Sequence, residues 1–135
     1  MHRTLWILAA AVPVLASCGA GRSAQSLLPQ NVRRVAIHYH PAQHHPDQYA
    51  VITQRRALHE IIHAFNALPL ASNGTTTCAA DFGQYLNLTF STSQGRIIHV
   101  HDWLACHQLS ISTSPQRLFG QGKFSPLVLQ LMRHP

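Results

Sequence analysis

Acidic residues are scarce in this 135-residue chain: four Asp and Glu stand against ten Lys and Arg, for a formal net charge of +6 with histidine neutral. Glu60 is the single glutamate and Lys123 the single lysine, so arginine carries almost all of the positive charge. The arginines are scattered, not gathered into a run, and no aromatic-rich RNA-binding motif accompanies them, which argues against a nucleic-acid partner. A membrane-spanning segment is also lacking. The apolar run Leu5 to Ala16 covers twelve residues, whereas a spanning helix needs roughly 20. There is no glycine-rich phosphate loop, and no serine or cysteine nucleophile has an evident base and orienting partner. No internal repeat is visible.

What is present begins with 46% hydrophobic residues, ample for the core of one domain. The first eighteen residues have the parts of an export signal in order: a basic start (His2, Arg3), the apolar run, then Leu15-Ala16-Ser17-Cys18. Pro13 interrupts the run and speaks against a buried N-terminal helix. Leu15-Ala16-Ser17-Cys18 resembles the lipobox of bacterial lipoproteins. That resemblance implies a diacylglycerol on the sulfur of Cys18, cleavage of the signal peptide 1–17, and acylation of the new amino terminus. The mature chain would be extracytoplasmic and anchored to the bacterial cell membrane, since several acyl chains hold durably where one binds only marginally. Loss of Arg3 leaves nine bases against four acids, a charge that favours anionic lipid head groups.

With Cys18 lipidated, Cys78 and Cys106 remain in a compartment where disulfides persist, and they are expected to pair. A loop of that length would stabilise the fold by roughly 3 to 4 kcal/mol in the chain-entropy model. The alternative, two thiolate metal ligands, lacks a CxxC pair.

Residues 18–31, rich in small and polar side chains, read as a flexible tether to a domain over 32–135. Val32 to His40 alternates, with Val35, Ile37 and Tyr39 on one face and Ala36, His38 and His40 on the other. Pro41 to Pro46 is a loop. Asp47 reads as the N-cap of a helix to Asn66 whose stripe is Val51, Leu58, Ile61, Ile62 and Phe65. Strands follow over 85–91, 96–102 and 107–112, the first two joined by a hairpin loop at 92–95, and Ser125-Pro126 opens a short helix through Leu131. The order β-α-β-β-β-α predicts an α+β fold: an antiparallel sheet of three to four strands, with a main helix and a short C-terminal helix on one face. Asn66-Ala67-Leu68-Pro69, a cysteine, Asp81-Phe82-Gly83, the Leu86-x-Leu88-x-Phe90 strand and a second cysteine together resemble small uncharacterised actinobacterial secreted proteins. The resemblance covers about half the chain and implies no activity.

Histidine is the compositional excess, with eleven in the chain. They come in pairs: His38 with His40, His44 with His45, His59 with His63, and His99 with His101. Two imidazoles at i,i+2 on a strand or i,i+4 on a helix can share one zinc or copper ion. The candidate metal ligands are therefore His59, His63, His99 and His101. His59-Glu60-Ile61-Ile62-His63 also spells the HExxH pattern, in which Glu60 would be the base of a zinc peptidase. That reading needs a third ligand, for which His99, His101, Asp102 and His107 are candidates, because His63-Ala64-Phe65-Asn66-Ala67-Leu68 supplies none. On a helical wheel centred on Leu58, His59 and His63 lie about 100° and 140° away and Glu60 about 200°, on the solvent side.

The sheet face away from the helices would carry Tyr85, Asn87 and Thr89, then Ile97, His99, His101 and Trp103, then Gln108, Ser110 and Ser112. Aromatic and hydrogen-bonding groups on a rigid sheet form a contact surface for an envelope protein or ligand. The sequence thus reads as a lipid-anchored binding module rather than an enzyme, with metal capture by paired histidines as the alternative and HExxH peptidase activity as a third reading.

Overall fold

A computed structural model describes residues 27–42, 44–71, 83–119 and 122–134. The leader, Cys18 and Cys78 lie outside the described residues, and the expected lipidation and Cys78–Cys106 pairing lie there with them.

The expected α+β arrangement is present, but the antiparallel sheet has six strands instead of three to four, in the order β2-β1-β3-β4-β5-β6. Strand β1 (Val32–His40) buries Val32, Val35 and Ile37. A register shift between Val32 and Arg34 lets residues three apart face the same side. Strand β3 (Tyr85–Thr92) alternates without a break, burying Leu86, Leu88 and Phe90, and β4 (Ile97–Trp103) buries Ile98, Val100 and Asp102. Gly95 turns the hairpin between them with φ 78°, and the Thr92 hydroxyl accepts the Arg96 N–H at 3.0 Å. After a 3-10 turn at Leu104–Cys106 come β5 (Gln108–Ile111) and β6 (Ser114–Phe119).

The two unexpected strands, β2 (Gln48–Ile52) and β6, are the sheet edges. Strand β2 takes residues expected in the helix. It pairs with β1 from Val35 opposite Ile52 to Tyr39 opposite Gln48, so Asp47 precedes a strand instead of capping a helix, and Val51 is 48% exposed on the open side. Pairing with a neighbouring strand outweighs a helical period that only Val51 extended N-terminally. The helix α1 starts at Arg55 and ends at Asn66, with no side-chain cap at Gln54.

Helix α1 buries Ala57, Leu58, Ile61, Ile62 and Phe65 on one side of the sheet. Helix α2 (Phe124–Arg133) joins it there, Phe124 meeting Phe65 edge to face at 5.3 Å between ring centroids. The folded unit also starts earlier than Val32. Leu28 is fully buried, and its backbone N–H donates to Asn66 Oδ1 at 3.0 Å while Asn66 Nδ2 returns a bond to Leu28 O at 2.9 Å. A lone Leu-Leu in a polar stretch has no period to mark it, and its place in the core takes 27–31 out of the expected tether. Among the described residues no helix is long and apolar enough to cross a membrane.

Candidate functional site

Because side chains alternate along a strand, every core residue of β1, β3 and β4 leaves a neighbour on the face the helices do not cover. The strand register then sets those neighbours side by side. Tyr49 lies opposite His38, His38 opposite Asn87, and Asn87 opposite His101; in the next row His40 lies opposite Tyr85 and Tyr85 opposite Trp103.

The result is a continuous cluster of rings across four strands. Tyr85 is its hub, stacked on His40 at 4.8 Å and 14° and on His101 at 5.4 Å and 29°, with His38 edge-on at 5.7 Å. His38 also stacks on Tyr49 at 4.5 Å, and His101 meets Trp103 edge to face at 4.0 Å. These contacts occupy ring faces. At its outer end Tyr49 is 72% exposed, with one ring face stacked on His38.

Asp47, placed by the short return into β2, binds both imidazoles of β1: His38 Nε2–H donates to Oδ2 at 2.7 Å and His40 Nδ1–H to Oδ1 at 2.6 Å. These hydrogen bonds, that from His38 first, hold its carboxyl below the usual carboxylate range. On the other flank the Asn87 carbonyl accepts from His101 Nδ1–H, so the neutral ring leaves Nε2 as its acceptor. Partial burial lowers the pKa of His101 and favours that neutral form.

Beside the cluster, the short side chains of Ser110 and Ser112 leave a groove of about 410 Å³ bordered by Asn87, Thr89, His99 and His101. His99 Nδ1 lies 3.2 Å from the Thr89 hydroxyl, and its backbone N–H donates to Ser112 Oγ at 3.0 Å. Of the residues expected on this face, Gln108 is buried, while Ile97 is 48% exposed at the end of β4.

The metal candidates fall on opposite sides of the molecule. His59 and His63 are exposed on α1 with ring centroids 6.4 Å apart, and Glu60 is bound by Arg56 Nε at 3.1 Å. His99 and His101 project from the other face of the sheet, with the core between the two pairs. Asp102 faces the helices but is hydrogen-bonded to Ser125 of α2. Among the described residues no group of three or more His, Cys, Asp or Glu is arranged to hold a metal ion.

Strand parity alone places Tyr85, His99, His101 and Trp103 on the open face. The role of Asp47 and the meeting of His38, His40 and His101 around Tyr85 depend on register and on β2. Comparison with protein-family models, with curated proteins and with solved structures finds no match for the chain.

Proposed function

We propose that this protein is a lipid-anchored extracytoplasmic binding module that takes its partner on the open sheet face, centred on Tyr85. The observation that carries the reading is the ring cluster. Three imidazoles meet one tyrosine, Tyr49 and Trp103 extend the cluster to either side, and a groove lies alongside. Aromatic anchors are enriched at recognition surfaces. In this reading Cys18 carries the lipid anchor, and a Cys78–Cys106 disulfide steadies the turn that follows β4.

The test compares the two sides of the molecule. Full-length protein is co-sedimented with delipidated cell-envelope fragments, beside Tyr85→Ala/His101→Ala and a helix-face control, His59→Ala/His63→Ala. Loss of retention by about tenfold or more for the first pair only is the expected result. Equal retention of all three removes the sheet face from consideration. The anchor is tested by Cys18→Ala, which should move the protein from the detergent phase to the aqueous phase on Triton-type partitioning; unchanged partitioning refutes the lipobox. Peptide mapping without reductant should recover a Cys78–Cys106 cross-linked pair.

A further inference from the structure

Behind the sheet, on the side of the helices, lies a second cavity, separate from the open face. It measures about 530 Å³ and sits between the end of β4, the 3-10 turn and the start of α2. Asp102 is at its wall, 1% exposed, and accepts the Ser125 hydroxyl at 2.6 Å through Oδ2. Its other oxygen, Oδ1, is buried and has no hydrogen-bond partner. Half-ionised or ionised carboxylates are rarely left so, because an unpaired buried acceptor costs free energy that nothing in the fold returns.

The rest of the lining states what would complete this group. Leu104, Pro126 and Leu129 supply an apolar wall and Tyr39 a ring, while Gln84 adds one amide. The ionisable side chains that line the cavity, among the described residues, are Asp102, Tyr39 of β1 and His107 before β5; no Lys or Arg lines it. His107 is exposed, adopts φ 49°, and attracts the Asp102 charge without hydrogen-bonding to it. A metal ion does not fit, since one carboxylate and one imidazole are too few ligands.

We infer that this cavity is a binding site for a small organic cation, a primary ammonium on a short apolar stem, whose N–H pairs with Asp102 Oδ1. The ammonium supplies the donor the carboxylate lacks, and the stem lies against Leu104, Pro126 and Leu129. A neutral alcohol of the same length gains the apolar contact and only a weak hydrogen bond.

The experiment titrates n-butylammonium and n-butanol into the full-length protein in detergent, observing the Asp102 side-chain carboxyl carbon by NMR together with thermal melting. Expected is a saturable shift of that carbon and a rise in melting temperature with n-butylammonium at pH 7.5, and neither with n-butanol. At pH 5, about one unit below the value of about 6 to which burial raises Asp102, apparent affinity should fall roughly tenfold. Asp102→Asn should remove the melting shift. Saturation by n-butanol equal to that by n-butylammonium, an equal melting shift in Asp102→Asn, or no saturable shift by 50-fold molar excess and beyond into about the 100 mM range, would overturn the site and leave water as its occupant. The open face takes no part in these readouts, so the site stands or falls apart from the proposed partner surface.

Discussion

Asp47 and Asp102 are two of the four acids in the chain, and the sheet separates their surroundings completely. Asp47 stands at the edge of the open face, where two imidazoles donate to it and its carboxyl ionises more readily than usual. Asp102 stands behind the sheet with one hydroxyl donor, and burial first of all pushes its pKa up to about 6. The contrast teaches that donors in reach and access to water, not residue type, set what a carboxylate does. In a chain so poor in acids, each of the two marks a place where the fold does something other than pack.

The largest difference is expected between the two sides of one strand. Phe90→Ala, on the helix side of β3, should cost about 3 to 5 kcal/mol in chemical denaturation, while Thr89→Ala, its neighbour on the open side, should stay within about 0.5 kcal/mol. Similar losses would mean that the open face is not open.

Asp102→Asn comes next and has the opposite sign. Because the folded-state pKa is raised from 3.8 to about 6, the contribution of Asp102 is fully present below its unfolded value and is lost as pH rises through about 6. The Asn variant should therefore be more stable at pH 7.5, by something on the order of 2 to 3 kcal/mol, and its stability should vary less between pH 4 and 7. Melting curves across that range check it; a variant less stable at pH 7.5 would show that the carboxylate is satisfied after all.

Tyr85→Ala should cost only about 1 kcal/mol in stability, the scale of a few exposed ring contacts, yet remove most of the partner retention. A large stability loss would make the cluster a structural device. The smallest effect belongs to Asp47→Asn. A lowered folded-state pKa means that Asp47 stabilises the fold above its unfolded value and ceases to do so as pH falls through the folded one. The variant should lose a little stability at pH 7 and progressively less as pH falls, and an NMR titration of the Asp47 carboxyl should give a midpoint under 3.8.

The parts of the fold readable from the sequence are those with strong alternation or helical period: β1, β3, β4, β5 and the core stripe of α1 from Leu58 to Phe65. Both strands that escaped it are edges. An edge strand is paired on one side only and need bury little, so β2 begins with Gln48 and Tyr49, and β6 tolerates Pro115, which an interior strand would not. Without β2, Asp47 looks like a helix cap, and its grip on His38 and His40 has no sequence sign. Asp102 did have one: it continues the inward parity of Ile98 and Val100, which for a carboxylate is itself a signal of burial.

Which residues share a strand face, that histidines come in pairs suited to such faces, and that HEIIH turns its glutamate toward water are legible along the chain, because these follow from local geometry of period 2 or 3.6. Which pairs meet depends on the folded arrangement. Register between strands far apart in the chain brings His40, Tyr85 and His101 together, and the thickness of sheet and core keeps His59 and His63 away from His99 and His101, because contact across strands is fixed by long-range pairing that no local period encodes.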